Sequence, residues 1–248
     1  MMKTKFLNLL ILIAGMALFA GCSKDDGVSP DDPNALRTIK LSVEARTIEF
    51  DLSNRDHNVS FPTDLYIDWG DGSTTSSNSH AYSVKGTYNV TIQAKNLKWF
   101  GYSDYSDRLQ QIDVKDCNSL VGIDLPGNDL TSLDVSGLAA LEYLDCNSND
   151  LSTLNLKGCS ALKELNCLSN DLTTLDVSGL AALEYLDCIY NDLSAEALNQ
   201  IFKDLPQRKT FEDKYGNTKQ STIRIYGNPG KDTCDKSIAE KKGWEVVY

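Results

Sequence analysis

The sequence predicts a mixed fold, in which a small β-sandwich is followed by an α/β solenoid of 21-residue turns and a C-terminal cap. The solenoid follows from the triplet Asn-Asp-Leu, which recurs every 21 residues, because self-similarity at such a period is typical of stacked repeats. The sandwich follows from residues 36–96, where apolar and polar side chains alternate with period two. The cap follows from the break in the repeat after Asn191.

Within each repeat the apolar positions keep a fixed spacing. Leu141, Leu144 and Cys146 are followed by Asn149, and residues of the same kind stand one period earlier and later. This frame resembles the leucine-rich repeat, in which a short strand alternates inward and outward side chains. The resemblance covers residues 97–205, and one turn of such a stack is not expected to fold without its neighbours.

Two columns of the repeat are interpreted as structural. An amide both donates and accepts hydrogen bonds, so an asparagine can satisfy backbone groups where the chain leaves each strand. The predicted ladder consists of Asn128, Asn149, Asn170 and Asn191. The inward cysteines are interpreted as small hydrophobic residues rather than metal ligands, because a core site would lack polar surroundings. They are Cys146, Cys167 and Cys188.

The repeats also contain an internal duplication. Residues 128–146 and 170–188 differ only at Ser132 and Thr174. This near-identity indicates that a block of two turns was copied as one piece. No catalytic arrangement requires such a copy, so the duplication favours a binding or structural role.

Charge and histidine content narrow the classes of function. The formal net charge of the chain is −11, which disfavours nucleic acid and anionic membrane surfaces as partners. His57 and His80 are the only histidines in the sequence, too few for a histidine-based nucleophile relay or a histidine-rich metal site. We therefore expect no catalytic residue, no metal and no cofactor.

The N-terminus resembles that of a bacterial lipoprotein. Residues 1–21 have a basic start and a short apolar run, which predicts a signal peptide rather than a membrane span. Phe19-Ala20-Gly21-Cys22 resembles a lipobox, which implies cleavage before Cys22 and a lipid anchor there. Residues 22–35 are polar and are predicted to be a disordered tether. The acidic residues after Cys22 resemble the export signal of surface lipoproteins, so we expect an outer-membrane lipoprotein exposed at the cell surface; a periplasmic orientation is the alternative.

Three motifs within residues 36–96 resemble the polycystic kidney disease (PKD) repeat domain. They are Trp69-Gly70-Asp71-Gly72-Ser73, then His80-Ala81-Tyr82, then the strand-like run from Gly86 to Ile92. The resemblance implies an immunoglobulin-like module that serves as a spacer or contacts protein or glycan, and it implies no enzymatic activity.

Both ends of the solenoid are expected to be covered, because an open end leaves an apolar face in water. Trp99, Phe100 and Tyr102 are predicted to cap the first turn. A helix is predicted over residues 195–205, and residues 206–248 are predicted to form the C-terminal cap. Within it, the run from Tyr226 to Gly230 resembles a cap common in repeat-bearing bacterial lipoproteins.

Ligand contacts are expected on the outward strand positions, which form the concave face of such a solenoid. Tyrosines beside carboxylates and amides, joined by apolar residues expected to be exposed, are typical of a recognition surface. The candidate residues are Tyr143, Asp145, Asn147, Glu164, Asn166, Leu168, Tyr185, Asp187 and Ile189.

The sequence leaves three functions open. The favoured hypothesis is a monomeric, non-enzymatic lipoprotein that binds protein or glycan, with the PKD-like module as spacer or second contact. The alternative is a structural spacer of the envelope without a specific ligand. A remote alternative is a metal-dependent enzyme that uses the aspartate columns of the repeat, one of which contains Asp113, Asp134 and Asp176.

Overall fold

The computed structural model describes most of the chain after residue 34. The described residues are 35–53, 60–104, 106–208, 211–212 and 218–248. The predicted signal peptide, the anchor at Cys22 and all of the tether except Ala35 lie outside them. No helix among the described residues is long and apolar enough to cross a membrane.

The N-terminal part is an antiparallel sheet that holds five strands within the described residues. These are β1 (Arg37–Glu49), β2 (Thr63–Asp68), β3 (Thr74–Thr75), β4 (Ser79–Lys95) and β6 (Arg108–Asp113), in the order β3-β2-β4-β1-β6. Strand β5 (Trp99–Gly101), which precedes β6 in the chain, belongs to the solenoid. Ile39, Leu41 and Val43 alternate along β1 and are buried, as expected of a sheet with one covered face.

The two-sheet sandwich predicted for residues 36–96 is not confirmed. The described residues of that segment contribute four strands to a single sheet, and the fifth strand, β6, comes from beyond residue 96. One continuous hydrophobic core runs from this sheet into the solenoid. The solenoid therefore covers the apolar face that a second sheet would cover in a sandwich.

Phe50 lies at the junction of the two parts. Its ring is stacked at 5.7 Å on Trp69 of the N-terminal part, and it lies 5.5 Å from Phe100 and 5.6 Å from Tyr102 at the start of the solenoid. Asp51 continues the contact, because its backbone exchanges two hydrogen bonds of 2.8 and 2.7 Å with Gly101. Sheet and solenoid thus share both core and backbone pairing.

The solenoid has seven parallel strands in its main sheet within the described chain. After β5 these are β7 (Gly122–Asp124), β9 (Tyr143–Asp145), β11 (Glu164–Asn166), β12 (Tyr185–Asp187), β15 (Ser221–Arg224) and β16 (Trp244–Val247). Tyr143 pairs with Glu164 and Glu164 with Tyr185, so successive turns align at a spacing of 21 residues. The leucine-rich-repeat-like solenoid with its 21-residue period is confirmed. Across the core, β8 (Ser132–Asp134) and β10 (Thr153–Asn155) form a second parallel pair.

The asparagine ladder binds backbone groups between turns. Asn149 Nδ2 donates to the carbonyls of Leu125 (2.9 Å) and Cys146 (3.0 Å), and its Oδ1 accepts from the backbone N–H of Leu130 (3.1 Å). Each of these carbonyls also accepts from the asparagine of an adjacent turn, Asn128 for Leu125 and Asn170 for Cys146. The side chains therefore couple every turn to both neighbours.

The ladder extends beyond the four predicted residues at both ends. Asn228 repeats the pattern, with Oδ1 accepting from the backbone N–H of Leu193. One period before Asn128 stands Asp107, whose Oδ2 accepts from the backbone N–H groups of Arg46 (2.9 Å) and Thr47 (3.0 Å). A carboxylate suits this position because both partners are donors.

The C-terminal part closes the core. Helix α1 (Ala195–Asp204) matches the predicted helix, is capped by the Ser194 side chain, and buries Leu198, Ile201 and Phe202. The hairpin of β13 (Phe211–Glu212) and β14 (Thr218–Lys219) and the short helix α2 (Ser237–Glu240) complete this part. Trp244 of β16 is 1% exposed, so the last strand is anchored in the core.

Candidate functional site

The outer face of the main sheet brings the predicted site residues into rows. We call this surface the strand face. Its first row runs across the paired strands through Trp99, Gly122, Tyr143, Glu164, Tyr185 and Thr222. Its second row runs through Gly101, Asp124, Asp145, Asn166, Asp187 and Arg224. Asn147, Leu168 and Ile189 follow the strands β9, β11 and β12 and form a third row.

An aromatic stack forms the N-terminal end of the first row. The indole of Trp99 lies across Gly122 and stacks on the ring of Tyr143, with 5.4 Å between centroids and 25° between planes. A Cβ on Gly122 would lie 1.9 Å from the indole, so only glycine leaves room for this arrangement. Trp99 was expected to cap the first turn; the structure instead places it on the strand face, where it holds Tyr143.

Asp145 is buried beneath the strand face. It is 8% exposed, and its Oδ1 accepts from the backbone N–H (3.0 Å) and the side-chain Nδ2 (2.6 Å) of Asn147. Its Oδ2 accepts from Asn166 Nδ2 at 3.0 Å and lies 3.4 Å from the Tyr143 hydroxyl. These bonds fix the turn and hold the tyrosine, so this carboxylate is committed to the protein's own structure.

Asp187 has the same role one duplicated block later. It is 3% exposed; Oδ1 accepts from the backbone N–H of Ile189 (3.1 Å), and Oδ2 accepts from the Tyr185 hydroxyl (3.2 Å). Arg224 adds an ion pair of 2.5 Å to Oδ2 and reaches the Tyr185 hydroxyl at 3.4 Å. Burial raises the pKa of Tyr185, an effect that the guanidinium partly opposes.

The predicted residues therefore differ in accessibility. Glu164 is exposed, whereas Tyr143, Tyr185, Asn147, Asn166 and Leu168 are half-buried. Ile189 was expected to be exposed, but this expectation is wrong: it is 6% exposed. Ile189 lies in the third row, and the equivalent residue of the next turn is Tyr226.

Three residues of the C-terminal turns were missed as members of this surface. Arg224 occupies the second row and Tyr226 follows β15 in the third, while Tyr190 follows Ile189. Tyr190 is 55% and Tyr226 is 48% exposed. The only sequence signal was the return of the repeat frame at Ile223, Ile225 and Asn228, which places residues 224 and 226 on the outward side.

The aspartates of the column that was considered for a metal enzyme accept hydrogen bonds within tight turns. Asp113, Asp134 and Asp176 each accept a hydrogen bond from the backbone N–H two residues later, at 3.1, 3.1 and 2.8 Å. Asp134 also pairs with Lys115 at 3.0 Å. Within the described ranges, no group of three or more histidine, cysteine or acidic side chains is placed to hold a metal ion.

The buried thiols are poorly suited to nucleophilic chemistry. Cys146, Cys167 and Cys188 are fully buried in the core. Burial raises the pKa of each thiol, so little thiolate is present at neutral pH. This agrees with their interpretation as small hydrophobic residues.

A cleft of about 510 Å³ lies beside the junction of sheet and solenoid. Carboxylates dominate its wall, namely Glu49, Asp51, Asp104 and Asp124, together with Asn78 and Tyr102. The cleft lies next to the second row of the strand face, at Gly101 and Asp124. Its walls add negative charge to that end of the surface.

Comparisons with known proteins include a solved structure that resembles part of this chain. No protein-family model matches the sequence, and the comparison with curated protein sequences found no match. The structure described as the functional domain of InlJ from Listeria monocytogenes, which includes a cysteine ladder, is similar at 27% identity and a TM-score of 0.39. The similarity covers 52% of this chain and 25% of that chain. The assignment of the solenoid therefore rests on the period and strand register of this chain.

Proposed function

We propose that this chain is a non-enzymatic cell-envelope lipoprotein that binds protein or glycan through its strand face. The observation that carries the proposal is the pair of tyrosines fixed at equivalent positions of the duplicated block. Tyr143 is held between the Trp99 ring and Asp145, and Tyr185 is held by Asp187 and Arg224. Rigid aromatic anchors lose little conformational entropy on binding.

The size of the strand face limits the affinity that a single copy can reach. Seven strands spaced by ~4.8 Å span roughly 30 Å, so the face provides at most a standard interface, which needs about 800 Å² from each partner. Part of it is occupied by buried carboxylates that contribute no contact area. A lipid anchor at Cys22 would place many copies on one surface and strengthen weak contacts through multivalency. The N-terminal sheet serves as spacer or as a second contact.

The binding test compares two double variants. Tyr143→Ala with Tyr185→Ala removes both anchors; Thr131→Ala with Thr173→Ala changes exposed residues across the core with the same separation in sequence. Each protein, carrying Cys22→Ala so that it is soluble, is applied to immobilised polysaccharides and secreted glycoproteins. We expect the tyrosine variant to lose at least tenfold in affinity and the threonine variant to bind as the parent does.

Unchanged binding by the tyrosine variant would contradict the assignment of the strand face. Absence of binding to every immobilised target would favour the alternative function, a structural spacer. Circular dichroism of both variants checks that the solenoid remains folded.

The proposed location has its own test. Protease added to intact cells should cleave the lipidated protein at the surface. It should not reach the Cys22→Ala variant, which should stay uncleaved. Protection of both proteins until the outer membrane is broken would support the periplasmic orientation.

A further inference from the structure

Two exposed tyrosines form a distinct feature at the C-terminal end of the strand face. The rings of Tyr190 and Tyr226 lie 5.5 Å apart at an angle of 82°. About half of each side chain is accessible to solvent. One ring thus provides a floor and the other a perpendicular wall, and we call this pair the tyrosine corner site.

The backbone of Tyr190 is in a conformation that bulky residues rarely adopt. Its φ is +52°, and the equivalent residues of the other turns also have positive φ: Gly127, Ser148, Ser169 and Gly227. Glycine or a small polar residue is usual in this region. The conformation is therefore common to the repeat, and what distinguishes this turn is that the residue in it is a bulky tyrosine.

The next turn is shaped to receive the Tyr190 ring. A Cβ on Gly227 would lie 2.3 Å from the nearest ring atom, so glycine leaves the space in which the ring lies. The backbone N–H of Tyr190 donates to the carbonyl of Tyr226 at 2.8 Å. The two turns therefore hold the two rings in a fixed relation.

The internal duplication gives an independent observation. The two copies of the 19-residue block differ at one position, but the residues that follow change from Asn147-Ser148 to Ile189-Tyr190. Both changes replace a polar residue with a larger and more hydrophobic one. The copies thus diverge where the second copy meets Tyr226.

We propose that the tyrosine corner site binds one pyranose ring of a neutral glycan. A tyrosine can bury about 150–250 Å², so the half-exposed pair offers roughly 200 Å², far below the ~800 Å² of a protein partner. That area matches a single sugar ring. The C–H groups of a pyranose face carry partial positive charge and stack on the negative face of an aromatic ring.

The charged groups beside the site suit hydroxyl groups rather than an ionic ligand. Lys231 Nζ lies 6.0 Å from the centroid of the Tyr226 ring. It pairs with Asp232 at 2.7 Å, so a donor and an acceptor with no net charge stand together. Sugar hydroxyls both donate and accept, and a few such polar groups beside an apolar surface are typical of small-molecule sites.

The site is separate from the anchors of the strand face, so the two proposals can fail independently. The strand face can bind a protein while the corner binds no sugar, and a sugar can bind here without Tyr143 or Tyr185. If both hold, the glycan is the ligand class of the C-terminal end of the molecule.

The test uses the full chain with Cys22→Ala and two probes, cellohexaose and maltohexaose. Saturation-transfer NMR detects contact with sugar C–H protons, and titration calorimetry gives the affinity. Tyr190→Ser introduces the residue that Ser148 and Ser169 supply at the same backbone conformation, so the fold is expected to be retained. We expect Tyr190→Ser and Tyr226→Ala to weaken hexasaccharide binding at least tenfold.

Two controls make the result specific. Tyr66→Ala removes a tyrosine of similar exposure, 47%, from the N-terminal sheet and should leave the affinity unchanged. The Thr131→Ala, Thr173→Ala double variant, which changes exposed residues across the core, should also bind the hexasaccharide normally. Failure of both hexasaccharides to bind, or unchanged affinity in folded Tyr190→Ser, would overturn the proposal. Binding of decaproline that depends on Tyr190, with no sugar bound, would also overturn it and assign the site to a peptide.

Discussion

Replacing one ladder asparagine by aspartate tests the coupling between turns most sensitively. In Asn149→Asp the side chain keeps its shape and keeps the acceptor for the backbone N–H of Leu130. It loses the Nδ2 donor, which lies 2.9, 3.0 and 3.2 Å from the carbonyls of Leu125, Cys146 and Asn147. A second oxygen then faces three carbonyl oxygens in a buried position, which disfavours the ionised carboxyl group.

The expected loss of stability depends on pH. Leu125 and Cys146 keep a second amide partner, so below pH 4 the protonated side chain should cost only about 1 kcal/mol. Burial raises the pKa of a carboxyl group by up to about 3–5 units, and three units correspond to ~4 kcal/mol. Because the pKa in the folded state is above that in the unfolded state, the loss grows by a further ~4 kcal/mol as pH rises above ~4 and reaches about 5 kcal/mol near neutral pH.

Urea denaturation of Asn149→Asp between pH 4 and pH 8, monitored by circular dichroism, measures how the loss of stability depends on pH. The matched control is Asn155→Asp, an exposed asparagine in the same repeat whose equivalents are already Asp113, Asp134 and Asp176. We expect the control to change the free energy of unfolding by less than about 0.5 kcal/mol. Equal effects of the two substitutions at neutral pH would refute the proposed role of the ladder.

Three further predictions address the stack, the thiols and the N-terminal sheet. Gly122→Ala should destabilise the fold by about 1–3 kcal/mol, because the added methyl group displaces Trp99. Tryptophan fluorescence emission should shift to longer wavelength, and unchanged emission would contradict the stacking of Trp99 on Tyr143. In a Cys22→Ala background, Ellman's reagent at pH 8 should label the half-buried Cys234 first, because burial raises the pKa of the core thiols. Rapid labelling of several thiols would refute the packing of these cysteines in the core. Hydrogen bonds from the Ser73 side chain and backbone, followed by that from His80, lower the pKa of Asp71 to about 2. The stabilisation from these bonds is therefore complete above pH ~4 and is lost as pH falls toward ~2. Asp71→Asn should make the urea midpoint less dependent on pH between pH 5 and pH 2. An unchanged pH profile would show that these bonds add no stability.

The repeat was predictable because its signal is local and recurs. Leu141, Leu144 and Asn149 define a frame that each neighbouring turn repeats, so strand, core side chain and ladder position follow from spacing alone. The helix after Ser194 was equally predictable, because its cap and its apolar face lie within a few residues of one another.

The junction was not predictable in the same way. Leu109 and Ile112 fit the repeat frame, yet β6 also pairs with the distant strand β1. Asp107 stands at a ladder position, but its partners are backbone groups of Arg46 and Thr47, about 60 residues earlier. Such pairings depend on how the whole chain folds, and alternation of side chains does not specify which strand is the partner.

The candidate site contains features that the sequence predicts and features that it does not. The register of Tyr143, Glu164 and Tyr185 followed from the period. The burial of Asp145 and Asp187 did not, because it depends on hydrogen bonds with neighbouring turns and on Arg224, which follows the break in the repeat. Tyr190 was not identified because its packing over Gly227 and against Tyr226 depends on a turn that follows the break in the repeat.

Site-specific photo-crosslinking can detect binding through the strand face on intact cells. A photoreactive amino acid replaces the exposed Glu164 on the strand face or, in a second protein, the exposed Thr173 across the core. After irradiation of intact cells in their natural surroundings, we expect a discrete cross-linked product from position 164 and none from position 173. Products of equal yield from both positions, or from neither, would contradict binding through the strand face.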